Sequence, residues 1–218
     1  MTSLNVVFFA IIALFSFSGF VRAADSLIPL PKSEYAFVRG NTSSSVTVDL
    51  IIDLGCSSCL NAWPTLTELY GIYKNQVKFL YRVFPLPYHQ QSFILAKAAQ
   101  TVNYFGDKHA VFRFMDIAYD KQPLIYNSAT ADTTYNQVVA LVSTWATEGT
   151  GVTADEYFIG MNSSNAVGSS IEMNARYVWK NACLRSAFAT PLYSINGLAV
   201  QGIDTIEDWQ AALDPLLA

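Results

Sequence analysis

The sequence predicts an α/β fold in which a central mixed β-sheet is flanked by helices and interrupted by a mostly helical insertion. Three observations carry that reading. An apolar run at Val46–Leu54, a helical period from Cys56 to Tyr73 and a second strand pattern at Gln76–Phe84 make a β-α-β unit. Such a unit sets its two strands parallel with a right-handed crossover. Residues 90–187 then carry repeated helical patterns, such as Phe93-Ala96-Ala99-Val102 and Val138-Leu141-Val142-Trp145, separated by turns near Gly106, Pro123 and Gly149–Gly151. Finally, Leu192–Ile195 and Leu198–Gln201 flank Asn196-Gly197, a strong two-residue hairpin signal, so an antiparallel pair closes the sheet.

Taken from the N-terminus, Val6–Phe20 is fifteen residues without a charge, shorter than the about 20 apolar residues that span a bilayer. Val21-Arg22-Ala23 follows with small or β-branched residues at the −3 and −1 positions of a cleavage site. Residues 1–23 are therefore expected to be a signal peptide. The expected location is outside the cell or in an endomembrane lumen, with no membrane contact after cleavage. Asn41-Thr42-Ser43 and Asn162-Ser163-Ser164 are glycosylation sequons, so Asn41 and Asn162 are expected acceptors in a eukaryotic secretory pathway. The tail Asp214–Ala218 is not an endoplasmic-reticulum retention signal.

Residues 25–34, with Pro29 and Pro31, read as an extended arm, and Tyr35–Val38 as a short edge strand ending at Gly40. The middle of Val46–Leu54 is nearly continuously apolar, as a strand covered on both faces should be. Gly55 breaks it, and Leu60, Trp63, Leu66, Leu69, Tyr70 and Tyr73 recur at helical spacing. Pro85 and Pro87 end the next strand. After the hairpin, Asp204 or Thr205 can cap a last helix with Ile206, Trp209, Ala212, Leu213 and Leu216 as its apolar stripe. The expected partition is 24–89, an insertion at 90–187, and 188–218.

Composition removes other classes. Of 218 residues, 52% are apolar and 14% charged, which excludes a disordered chain and provides a sizeable core. Thirteen Lys and Arg against seventeen Asp and Glu leave a net charge of −4 without a basic patch, so no nucleic-acid partner is expected.

The chemistry concentrates in Cys56-Ser57-Ser58-Cys59, at the passage from strand to helix. Both sulfurs fall in the first helical turn, near unpaired amides and the positive end of the helix dipole, which favours thiolate over thiol. The first cysteine of such a turn is expected to be exposed and to attack. The second, one turn along and buried by the helix, resolves the mixed disulfide. The same spacing also suits a small structural disulfide or half of a zinc site. Zinc needs two further ligands, and Cys183, His89 and His109 supply no second paired motif, so no metal is expected.

At this point the chain resembles the thioredoxin superfamily, in its DsbA-like branch with a helical domain inserted between the halves of a thioredoxin-like fold. The resemblance covers most of residues 35–217. It rests on the Cys56–Cys59 motif after an apolar strand, on Pro64 eight residues after Cys56, and on Thr190-Pro191 directly before the hairpin. Leu86-Pro87-Tyr88-His89 and Trp209–Pro215 are similar to eukaryotic secreted DsbA-like proteins. The resemblance implies a cis-proline loop, with Pro191 against the Cys56 sulfur and Thr190 offering backbone groups to an extended substrate. It implies a thiol:disulfide oxidoreductase with a redox-active Cys56/Cys59 disulfide, no bound cofactor, and cysteine-containing proteins as substrates. The redox partner is unspecified. The Ser-Ser dipeptide matches neither the Pro-His of strong oxidases nor the Gly-Pro of reductases, which leaves the redox direction open. The alternatives are a non-catalytic peptide-binding module with a structural disulfide, and a glutathione-using transferase or isomerase, which the intact cysteine pair disfavours.

Four further expectations concern single residues. Cys183, in the apolar-rich run Tyr177–Phe188, is expected to be a small core residue, with a regulatory or intermolecular thiol as the alternative. His89 is expected to pack in its loop, with proton shuttling as the functional alternative. Asp49 and Asp53 are expected to be solvated strand-end acids, the alternative being a buried base for Cys59 as in thioredoxins, whose offset matches poorly. Trp63, Tyr70, Tyr73, Phe112, Phe114 and Tyr119 are expected in the core, with a peptide groove lined by the last three as the alternative.

Overall fold

The computed structural model describes residues 27–31 and 34–218, so the expected signal peptide lies outside the described residues. Its elements are β1 (Phe37–Gly40), β2 (Thr47–Ile52), α1 (Ser57–Tyr73), β3 (Lys78–Val83), α2 (Ser92–Phe105), α3 (Ala110–Asp120), a 3-10 turn at Gln122–Ile125, α4 (Tyr135–Thr147), α5 (Ala154–Met161), α6 (Ala166–Leu184), β4 (Leu192–Ile195), β5 (Leu198–Val200) and α7 (Ile206–Leu217). The strand order is β1-β3-β2-β4-β5. Only β2 and β3 are parallel, as the β-α-β unit requires, with Val48 opposite Phe79 and Ile52 opposite Val83. The helices α2–α6 enter between β3 and β4, so the fold is a thioredoxin-like mixed sheet with an inserted helical subdomain.

The alternation of β2 decides what each face of the sheet holds. Val48, Leu50 and Ile52 join the main core with Cys59, Trp63, Leu66, Leu69 and Tyr73 from α1 and with the inner faces of α2–α4. Ile51 points the other way, into a smaller cluster with Phe84, Leu86 and Ala182. Phe112, Phe114 and Tyr119 are core residues, as are Trp63 and Tyr73, whereas Tyr70 is half-buried. The hairpin turn has Asn196 at φ 49° and Gly197 at φ 83°, the doubly left-handed geometry for which this dipeptide is suited. Of the two capping candidates for the last helix, Thr205 is the cap, reciprocated by Asp208. Among the described residues no helix is long and apolar enough to cross a membrane.

Two expectations are corrected here. Asp49 is 4% exposed rather than solvated. It lies opposite Leu80 on β3, and Arg82, itself 0% exposed, donates its Nε to the carboxylate at 2.9 Å. The same guanidinium donates to the Tyr35 carbonyl (2.6 Å) and to Asn181 Oδ1 (2.8 Å), tying the N-terminal arm, the sheet and α6 together. Cys183 is exposed, not core. The buried stripe of α6 runs Gly168, Ile171, Ala175, Val178, Ala182. A residue one position past Ala182 is turned about 100° away from that stripe.

Candidate active site

The local sequence explains how the two cysteines meet. Strand β2 ends at Ile52, the Cys56 amide donates to the Asp53 carbonyl (3.1 Å) to close a turn, and Cys56 becomes the N-cap of α1 with extended backbone. Cys59 is then one turn into the helix, on the face that carries Trp63 and Leu66 into the core. Cys59 is 0% exposed and receives the Asp53 amide at 3.4 Å. Ser57 and Ser58, between the cysteines, are both exposed.

Cys56 departs from its expected exposure, since only 6% of it is accessible. The cover is the segment before β4. The Thr190-Pro191 peptide bond is cis, and the Cys56 sulfur lies 3.5 Å from the Thr190 carbonyl oxygen, to which it donates only when protonated. The Thr190 hydroxyl is buried and has no hydrogen-bond partner among the described residues. Residues 134 positions apart are thus brought to one sulfur.

The two thiols are displaced in opposite directions. Hydrogen bonding from Cys59 lowers Cys56 to about 5, against a counter-effect of burial, with further help from the Thr190 side chain and the first amides of α1. Burial pushes Cys59 far above the ordinary thiol range, and its hydrogen bond to Cys56 and the neighbouring charge add to that. The pair shares one proton, held on the inner sulfur.

Behind the cysteines stands a polar scaffold. Asp53 is 0% exposed, which corrects the expectation of a solvated acid. Its Oδ1 accepts from the Gly55 amide (2.9 Å), and its Oδ2 accepts from the Leu86 amide (3.0 Å) and lies 2.6 Å from His89 Nδ1. His89 does pack in its loop, but through this buried partner. Gly55 is needed for close approach: a Cβ there would lie 2.2 Å from Ser92 Oγ at the start of α2. Two residues of the insertion complete the scaffold. Gln122, fully buried, donates to the carbonyls of Leu54 (2.8 Å) and Cys56 (3.1 Å), and the Tyr119 hydroxyl donates to the Asp53 carbonyl at 3.3 Å.

Cys56, Cys59, Thr190 and Pro191 therefore come together, whereas Asn41 and Asn162 lie elsewhere. Asn162 is exposed at the end of α5, and Asn41 is half-buried after β1 with its amide donating to the Asn75 carbonyl (3.2 Å). Beside the cysteines a cavity of about 530 Å³ is lined by Ser58, Ala62, Leu66, Pro191, Tyr193 and Trp209, among others. A second, of about 540 Å³, opens against His89, Phe93, Arg176, Trp179 and Lys180. Among the described residues no three His, Cys, Asp or Glu side chains cluster to hold a metal ion.

The thioredoxin family model matches residues 32–215. No curated protein sequence matches the chain. Solved structures do. A candidate protein-disulfide isomerase from Pseudomonas syringae is 18% identical with a TM-score of 0.67, over 82% of this chain and 97% of that one. BdbD from Bacillus subtilis, in its oxidised form, is 19% identical with a TM-score of 0.65, over 84% and 93%. The thiol-disulfide exchange protein alpha-DsbA2 from Wolbachia pipientis is 19% identical with a TM-score of 0.62, over 83% and 87%. At these identities the likeness is one of fold.

Proposed function

Because this chain belongs to the thioredoxin family, we propose that it is a DsbA-like thiol:disulfide oxidoreductase that exchanges disulfides with cysteine-containing polypeptides through Cys56 and Cys59. The observation that carries this reading is the placement of the pair: Cys56 caps α1 against the Thr190 carbonyl, and Cys59 lies wholly buried one turn on. A thiol ionising near 5 is almost wholly thiolate at neutral pH, while its neighbour keeps its proton.

In the reducing direction the Cys56 thiolate attacks a client disulfide. A Cys56–client bond forms, the client S–S bond breaks, and the leaving client thiolate takes a proton. Cys59 then loses its proton, attacks Cys56 and expels the second client sulfur, which takes that proton. The client gains two electrons and two protons, and the pair ends as a disulfide. The oxidising direction is the reverse. The unpartnered Thr190 hydroxyl is available to the Cys56 thiolate. The loop of Thr190 and Pro191, with the adjoining cavity walled by Leu66, Tyr193 and Trp209, suits an extended apolar segment flanking the client cysteine.

A low-pKa Cys56 stabilises the dithiol and so makes the disulfide a better oxidant. Ser57 and Ser58 supply no imidazolium, so the pair is read as less oxidising than one with Pro-His between its cysteines. The reading includes residues 1–23 as a cleaved signal peptide, a secreted or lumenal location, the partition 24–89, 90–187 and 188–218, and glycosylation at Asn41 and Asn162. Of these two, Asn162 is the more open.

Equilibration with glutathione buffers, followed by acid quenching and mass measurement, tests the reading. The expected result is one two-electron transition of the Cys56/Cys59 pair between about −270 and −120 mV, the range of thioredoxin-fold exchangers. A pair that remains wholly disulfide across the glutathione range would instead be a structural bridge, as in a peptide-binding module.

A further inference from the structure

Resting on that reading, we infer that Tyr119 is a catalytic residue of this site, whose hydroxyl donates a hydrogen bond to the Cys59 sulfur while that thiol loses its proton. The helical insertion would then take part in the second half of the exchange.

Cys59 is wholly shielded from water, yet it must become anionic to attack the mixed disulfide. An unhydrated anion is expensive unless donors surround it. One backbone donor, the Asp53 amide, points at the sulfur from 3.4 Å. Tyr119 is placed to supply another. Its ring packs on Trp63 with centroids 4.8 Å apart, and Trp63 is one turn below Cys59 on the same face of α1. Its hydroxyl, at the far end of a side chain only 1% exposed, stands at the Asp53 carbonyl, the residue whose amide touches Cys59.

That contact is 3.3 Å, well beyond the usual 2.7–2.8 Å for O–H···O, so the hydroxyl proton is weakly held by the carbonyl. Packing alone would be served by phenylalanine, and a buried hydroxyl is unfavourable unless its bonding compensates. Burial first, then the charges of Cys59, Asp53 and Cys56, keep the phenol protonated, so it remains a donor. During resolution the Cys59 S–H bond breaks, the Cys59–Cys56 bond forms, the Cys56–client bond breaks, and the departing client thiolate takes the proton. Tyr119 keeps its own proton throughout.

The test is a two-phase reaction with 5,5′-dithiobis(2-nitrobenzoate) by stopped flow, on the reduced full chain carrying Cys183→Ser so that the exposed third thiol is silent. The first phase is attack by Cys56 and the second is displacement of thionitrobenzoate by Cys59. Tyr119→Phe, which keeps the ring, should leave the first phase unchanged and slow the second about tenfold at pH 7. That factor is the worth of about one hydrogen bond to a charged group. Because burial keeps Cys59 protonated through the working range, that factor should hold across the assay's pH range, while the Cys56 alkylation profile stays that of the parent; a distortion of the site would move that profile as well. An unchanged second phase, or a slowing accompanied by a shifted Cys56 alkylation profile, would overturn the role of Tyr119. A parent chain lacking the first phase would overturn the disulfide-exchange reading, and this inference with it.

Discussion

Replacing Cys59 with alanine isolates the main cause of the low Cys56 pKa. The largest contribution to Cys56 ionising at about 5 is the hydrogen bond from the Cys59 thiol, ahead of the Thr190 side chain and the helix amides. A hydrogen bond to a charged group is worth roughly 1.5–3 kcal/mol, and one pH unit corresponds to about 1.36 kcal/mol. Cys59→Ala should therefore raise the Cys56 midpoint by roughly one to two units. Burial, which opposes ionisation, is unchanged by so small a truncation. The assay is the rate of iodoacetamide alkylation between pH 4 and 10, in a Cys183→Ser background. In the parent the rate should follow a midpoint near 5 and be flat through neutrality. In the variant it should still be climbing between pH 5 and 7. A parent titrating like a free thiol near 8.5 would refute the electrostatic argument. So would a variant with the parent's midpoint, since the activation would then come from the helix terminus and Thr190 alone.

The reduced form should lose stability relative to the disulfide form as pH falls from about 8.5 to about 5. A depressed folded-state pKa contributes above the unfolded value and loses that contribution on descent, by at most about 5 kcal/mol at 1.36 kcal/mol per unit. Above 8.5 the reduced form should weaken again, because Cys59 stays protonated when folded but ionises when unfolded; paired denaturant titrations of the two redox forms check both limbs. Gly55→Ala places a methyl 2.2 Å from Ser92 Oγ and should cost about 1–3 kcal/mol in denaturant stability. Adding Ser92→Ala should restore part of it, and no recovery would contradict the clash. Arg82→Met strands Asp49 beside Arg185 alone, at 3.5 Å, and should cost about 3–5 kcal/mol by the same measurement, with Asp49→Leu in the double variant recovering most of it.

What sequence reasoning could read was what is local. The β-α-β unit, the Asn196-Gly197 hairpin and the helical period of α1 are each written in a contiguous stretch, and each stands where that stretch places it. The meeting of Cys56, Cys59 and the Thr190-Pro191 loop was accessible through motif resemblance, although the burial of Cys56 was not. Its cover comes from residues 134 positions away, and no local pattern reports an approach of that kind. The same reason hid Gln122 and Tyr119, which look like ordinary insertion residues until α3 and the turn after it pack against the Cys56 loop. Asp49 and Asp53 carry no sequence mark of burial, because a carboxylate at a strand end is solvated by default. Here Arg82 and the amides of Gly55 and Leu86 make burial tolerable. Cys183 was misplaced for a geometric reason: an apolar run promised burial, but the stripe of α6 passes one residue before it.

The central claim is that Cys56 attacks and Cys59 resolves, and trapping tests it most directly. Full-length Cys59→Ser and Cys56→Ser chains are expressed in a secretory compartment, free thiols are blocked, and reducible adducts are identified by mass spectrometry after non-reducing separation. The account predicts that Cys59→Ser accumulates mixed disulfides joined to client cysteines through Cys56. Cys56→Ser should accumulate none, because its remaining thiol is 0% exposed and held protonated. Equal adducts from both variants, or none from a folded Cys59→Ser chain, would contradict it.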